Sequence, residues 1–194
     1  SRSSAASDVY KRQTLAMSLI APLLMAHGSE QQRRLLLPEI AAFHAHWCLG
    51  LLEPVNAATP GPTRLWATND KVILNGEKRA LADGLLASTE LPKDRLWPAR
   101  LLCVALDEAQ QWRACLLPTD RDGIELRPVP NARGRWFHVM LNEVSVEPNE
   151  LLTLSSDALL SALAQPELLS EFVLPEANSL GLAEQLRLLR MELT

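Results

Sequence analysis

From about Ala45 to Glu150, short apolar runs recur with turn residues between them: WCLGLL, KVILNG, ARLLCVAL, WRACLLP, GIELRPV and WFHVMLNEVSVEP. Runs of this length, spaced roughly ten residues apart and punctuated by Pro, Gly, Asn and Asp, specify an antiparallel sandwich or barrel. In HVMLNEVSVEP the pairs Val139/Leu141 and Val144/Val146 each keep a period of two, with a shift of face at Asn142-Glu143. Such a shift predicts a bulge or bend within the strand. Asn75-Gly76 and Asp122-Gly123 read as turn dipeptides, because glycine accepts positive φ.

Helical patterns flank this region. TLAMSLIAPLLMAHG is apolar on nearly every side, with Pro22 expected to kink or break it and Gly28 expected at C′. An all-round apolar helix needs cover on all sides and so predicts association. In GSEQQRRLLLPEIAAF, Ser29 and Gln32 have capping-box spacing, Glu30 sits in the first turn, and Pro38 is expected to start a second short helix. SSDALLSALA begins from a Ser/Asp cap, and LGLAEQLRLLRMEL has leucines at helical spacing; Pro166 and Pro175 divide the tail. The opening SRSSAASDVYKRQ is serine-rich and aperiodic and resembles translated adapter sequence, so residues 1–13 are set aside as an artefact or disordered tail. The expected organisation is α+β: a helical N-terminal remnant over 14–44, a central antiparallel β-barrel or sandwich over 45–150, and a helical tail over 151–194.

Net charge is −4 and the basic residues are scattered, which leaves no basic stripe for nucleic acid. Arg33-Arg34 reads as a solvated helix face. The three cysteines, Cys48, Cys103 and Cys115, lack metal or redox spacing and sit among apolar neighbours, as buried reduced thiols do. No apolar run reaches the roughly 20 residues of a spanning helix, and no signal-peptide pattern surrounds the longest, so the expectation is a soluble, cytoplasmic chain with no membrane span. His44-x-His46 lacks ligand partners and reads as a helix-to-strand junction. His138 reads as a cross-strand packing residue, Glu53 as a turn carboxylate accepting local N–H groups, and Trp47, Trp66, Trp97, Trp112 and Trp136 as packing residues. No metal site is expected, and no phosphate loop or nucleophile elbow is present.

Taken in order, GSEQQRRLLLPEI, LLEPVNAAT, VILNGEKRALADG and LLPTDRDGIELRPVPNARGRWFHVMLNEVSVEPNELL resemble the acyl-CoA dehydrogenase family over roughly residues 15–152. The resemblance implies a central β domain that holds FAD, an acyl-CoA thioester beside the flavin ring, and an oligomer. It also implies a glutamate base on a C-terminal helical bundle. The tail after Leu151 does not match that bundle, so no catalytic residue is assigned, and Glu184 and Glu192 read as solvent-facing charges. The resemblance places cofactor-binding positions at Leu52, Glu53, Ala58, Ala80, Leu81 and Ala82. There the family's hydroxyl side chains and tryptophan are replaced by Leu and Ala. Losing three such donors weakens FAD binding by about 3–5 kcal/mol, a factor of several hundred to a few thousand. Backbone N–H groups remain as donors. The chain is therefore expected to be an oxidoreductase-like piece inactive alone, or a non-catalytic binding or assembly subunit.

Overall fold

A computed structural model of the chain describes residues 16–42, 46–54, 62–68, 71–82, 99–129 and 136–164, with only the backbone of Leu81 and Ala82 described. A π turn, Ala16–Ile20, runs directly into α1, Ala21–His27, with Pro22 in its first turn. The expected break at Pro22 thus takes the form of a change in helical winding, since proline needs no N–H partner there. Gly28 follows α1 with φ −70°, not in the left-handed conformation expected at C′. Glycine is needed for space instead: a Cβ at this position would stand 2.5 Å from the Leu24 carbonyl oxygen.

Helix α2, Glu30–Ala41, opens with both bonds of the capping box, Gln32 N–H to Ser29 Oγ at 3.1 Å and Ser29 N–H to Gln32 Oε1 at 2.8 Å. Pro38 does not start a second helix; it lies inside α2. Two buried anchors on either side of it, Leu36 and Ile40, hold the last turn in place despite the missing N–H. The Gln32 amide also donates to the carbonyls of Asn149 and Leu151, at 2.9 and 3.0 Å. Arg100 pairs with Glu39 at 3.0 Å. These contacts key α2 to the strands.

The strands are β1 (Trp47–Leu52), β2 (Arg64–Ala67), β3 (Val72–Ala82), β4 (Arg100–Leu106), β5 (Trp112–Pro118), β6 (Ile124–Pro128) and β7 (Trp136–Val146). They form one seven-stranded sheet. β1 and β2 lie end to end in a single lane: each pairs antiparallel with β3 on one side and parallel with β4 on the other. β5 lies outside β4, and β7 then β6 lie beyond β3. The sheet is thus mostly antiparallel, with parallel pairing at the lane shared by β1 and β2. After β7 a 3₁₀ turn, Pro148–Glu150, brings the chain back to β5, where Leu151 bridges Cys115 and Leu152 N–H reaches the Ala114 carbonyl. Helix α3, Ser156–Leu163, follows, capped by the Ser155 hydroxyl.

Alternation along the strands feeds two cores. Trp47, Leu49, Leu51, Leu102, Val104, Trp112, Ala114 and Leu116 join the helices on one side. Cys48, Ala80, Leu101, Cys103, Cys115, Val139, Leu141 and Val144 face the other, where no described helix contributes. Among the described residues that second face is lined by strand side chains, with Leu151 packed against it at β5. The ladder order is open between β5 and β6. The expected bend at Asn142-Glu143 is present: Glu143 has φ 51°, and Val139, Leu141, Val144 and Val146 all reach the same core. Asn75-Gly76, by contrast, is no turn. It lies inside β3 at a register shift, with Gly76 at φ 141° and Asn75 Oδ1 accepting Glu143 N–H at 2.6 Å. Asp122-Gly123 is a turn, with Gly123 at φ 87°. Residues 1–13 and the leucine-rich stretch 180–193 lie outside the described residues.

A Cβ at Gly123 would stand 2.3 Å from the Asn142 carbonyl oxygen. Gly123→Ala is therefore expected to lower stability by about 1–3 kcal/mol, read as a lower urea midpoint at an unchanged m-value.

Candidate functional site

The resemblance-derived positions gather where β1 meets β3. Their register pairs Leu52 with Arg79, Gly50 with Ala80, Leu49 with Leu81 and Cys48 with Ala82. Leu52, Ala80, Leu81 and Ala82 are thus brought onto neighbouring strands. Their side chains do not all share a face: Leu52 packs on the helix-side core, whereas Ala80, 0% exposed, belongs to the second core. Neither carries a hydrogen-bond donor. Ala58 lies outside the described residues.

Glu53, the residue after β1, makes the most consequential contact. Its Oε1 accepts from Lys78 Nζ at 2.5 Å and from Thr63 N–H at 3.4 Å. Lys78 is fully buried and also donates to the Leu51 carbonyl at 3.3 Å. Strand alternation puts it inside: Lys78 stands opposite Val139 and between Leu74 and Ala80, all of them in the second core. Gly50 lies beside it: a Cβ there would sit 3.2 Å from Leu101 Cδ1 and 3.4 Å from Lys78 Cβ and Cγ. The Glu53 carboxylate is therefore half of a buried ion pair and not only the local turn acceptor expected. The Glu53 Oε2 atom is buried and has no hydrogen-bond partner among the described residues. Lys78 was missed by residue type, because lysine in an Asn-Gly-Glu-Lys run looks like an exposed turn cation. Its even position between Leu74 and Ala80 was the available signal.

The pair also acts on the neighbouring thiols. Burial pushes the Cys103 thiol up to about 12, with Lys78 opposing the rise and Glu53 adding to it. Burial likewise raises the Cys115 thiol well above its ordinary value, helped by Cys103. All three cysteines are free and buried, as expected, and inert thiols of this kind are packing residues.

On the opposite face of β3, Arg79, His138 and Arg127 form a cross-strand row in register on β3, β7 and β6. The Arg79 guanidinium lies 5.1 Å from the centre of the Trp136 ring, within cation–π range. His138 Nε2 lies 3.4 Å from Glu77 Oε2 and makes no hydrogen bond among the described residues. Arg127 pairs with Glu125. This face offers a ring, cations and one imidazole beside Leu52.

A cavity of about 530 Å³ opens at the other end of β3, lined by Leu65, Trp66, Val72, Asp107, Arg113 and Leu152 among others. Asp107 titrates below the usual carboxylate range: partial desolvation pushes it up, but the Gln111 N–H and Arg113 outweigh that. Among the described residues there is no cluster of potential metal ligands, and no helix is long and apolar enough to cross a membrane.

No protein-family model matches the chain. In sequence it is 28% identical over 125 residues to acyl-CoA dehydrogenase FadE26 of Mycobacterium tuberculosis, covering 62% of this chain and 30% of that protein. It is 36% identical over 66 residues to acyl-CoA dehydrogenase FadE29 of the same organism, covering 33% and 17%. The matched stretches thus span less than a third of these curated relatives. In structure it is similar to a glutaryl-CoA dehydrogenase from Mycobacterium smegmatis (TM-score 0.61, 23% identity, 79% of this chain and 38% of that one). It is also similar to the ChsE4-ChsE5 complex from M. tuberculosis (TM-score 0.59, 19% identity, 77% and 39%). Over part of its length the chain resembles acyl-CoA dehydrogenases in sequence and shares their fold.

Lys78→Met leaves the Glu53 carboxylate buried without its cation and is expected to cost about 3–5 kcal/mol. Lys78→Met with Glu53→Leu removes both charges and is expected to recover most of that loss. Chemical denaturation of the two variants and the parent measures both values.

Proposed function

We propose that the chain is the helical edge and β domain of an acyl-CoA dehydrogenase-like, FAD-associated oxidoreductase, with little or no turnover on its own. One observation carries this reading: the ordered helices and seven-stranded sheet coincide with sequence similarity to proteins named acyl-CoA dehydrogenases. In it the sheet corresponds to the family's central barrel, and the substrate class is an acyl-CoA thioester.

Bound FAD would supply the hydride acceptor. Leu52 and Ala80 offer it apolar surface, so hydrogen bonds to it would come from main-chain N–H groups outside the β1–β3 ladder. Leu52, Arg79 and Trp136 share the helix-side face, where the guanidinium and ring suit an anionic, planar ligand better than the sealed side does. The neutralised Glu53–Lys78 pair adds no net charge against a phosphate. α-Proton abstraction needs a positioned carboxylate in a water-poor pocket, and none is assigned here. Glu184 and Glu192 lie outside the described residues. Oligomer formation fits the exposed Met17, Met25 and Leu35 of the helical layer.

A second reading is a non-catalytic assembly subunit. The apolar substitutions at Leu52 and Ala80 favour it, as does the similarity to a structure solved as a ChsE4-ChsE5 complex.

FAD titration followed by flavin fluorescence separates the two. The first reading expects weak, saturable uptake, and Leu52→Thr with Ala58→Ser and Ala82→Thr is expected to tighten it by on the order of a hundredfold or more. A folded triple variant that takes up no FAD in excess supports the second reading.

A further inference from the structure

Strands β4 and β5 each carry a cysteine at the same rung of their ladder. In the antiparallel register Cys103 stands directly opposite Cys115. Residues so paired present their side chains on one face, and both thiols are fully buried in the second core. The Cα atoms of such a pair are about 4.5–5.5 Å apart, inside the roughly 4.4–6.8 Å that a disulfide spans. Closing the bond draws the Cβ atoms together by about 1 Å. Cys48 belongs to the same core, but its register partners are Ala82 and Leu101, not a second cysteine.

Both thiols are free, and burial keeps them protonated. It pushes Cys103 up to about 12 and Cys115 well above its ordinary value. The thiolate is the attacking species in disulfide chemistry, so the pair is inert while β4 and β5 stay closed around it. That inertness is kinetic. The register supplies the geometry of a bond; a thiolate and a path for an oxidant are what the closed sheet withholds.

The path lies along β5. Among the described strands β5 pairs with β4 alone. Its outer edge is covered by the chain that returns from β7, where Leu151 bridges Cys115 itself and Leu152 N–H reaches the Ala114 carbonyl. That strap is tied down by the Gln32 amide on the Asn149 and Leu151 carbonyls and by the Arg121–Glu150 pair. An edge strand under so short a strap belongs to the part of a fold that opens locally, without global unfolding. Opening there admits water to Cys115, and its thiol regains its ordinary acidity.

We propose that Cys103 and Cys115 form a redox-sensitive latch, closed to a disulfide by a small disulfide oxidant when the strap over β5 lifts. The Cys115 thiolate attacks one oxidant sulfur, forming a mixed disulfide and releasing one small thiolate; the Cys103 sulfur then displaces the second. Two S–H groups become one S–S bond, their protons pass to the released thiolates, and the oxidant takes up two electrons. In the latched form β5 cannot part from β4; in the dithiol form it can.

Oxidised glutathione applied to the whole chain, followed by tryptic mass mapping, tests this. Cleavage after Arg100, Arg113 and Arg121 separates the two cysteines, so the latch appears as residues 101–113 joined to residues 114–121. The joined peptides are expected over hours, with Cys48 still reduced. Gln32→Ala releases the strap and is expected to speed closure roughly tenfold, whereas Ser29→Ala, which loses the helix cap alone, speeds it far less. Should Gln32→Ala not fold, the parent in urea just below its transition is read by the same criterion. The latched chain is expected to unfold at a higher urea midpoint than the dithiol chain.

A link through Cys48, glutathione adducts without a link, or no link even with the strap released overturns the proposal. So does a lower midpoint for the latched chain, which marks a bond the opposed strands do not accept. Equal acceleration by Gln32→Ala and Ser29→Ala overturns the role of the strap.

Discussion

Strands β1, β4 and β5 are sealed on both faces, and this double seal governs the rest of the molecule. One face is closed by the π turn, α1, α2 and α3, and the other carries a second buried cluster that includes Val139, Leu141 and Val144. A strand buried on both sides reads as a continuous apolar run, not an alternating one. RLLCVAL and WRACLLP are such runs. Any polar group admitted to these layers must bring its partner with it, and Lys78 does so with Glu53.

The sequence made some elements plain because their causes are local. The capping box of α2 rests on two side chains three residues apart, and the bend in β7 shows as a slip in a period of two. The errors arose where tertiary packing overrode a local signal. Pro38 has the chemistry of a helix start, but Leu36 and Ile40 are both buried and carry α2 through it. Asn75-Gly76 has the chemistry of a turn, yet β2 and β7 flank it on either side and hold it in an extended strand. No local pattern distinguishes those outcomes, because the deciding neighbours are distant in sequence.

The candidate site was legible to a different degree. Alignment on Glu53-Pro54 and Asn75-Gly76-Glu77-Lys78 grouped Leu52 with Ala80, Leu81 and Ala82, whose strands β1 and β3 do pair. It did not distinguish which face each side chain takes. Leu52 and Ala80, grouped by sequence, belong to different cores, while Lys78, overlooked by type, is buried against Glu53 where β1 meets β3. The Arg79–Trp136 contact was likewise hidden, since it joins β3 to β7 and has no signature within either strand.

Gln32 has a consequence of its own. The oxygen of its side chain closes the capping box of α2, while its nitrogen donates to Asn149 and Leu151 in the segment that leads from β7 to β5. Helix initiation and docking therefore draw on a single amide with all of these bonds satisfied at once. Sliding α2 along the sheet by one turn would surrender both cross-connections together, with no intermediate seat to settle into. The layer between helix and sheet behaves like a keyed joint: it is either home or released, and it resists gradual shear.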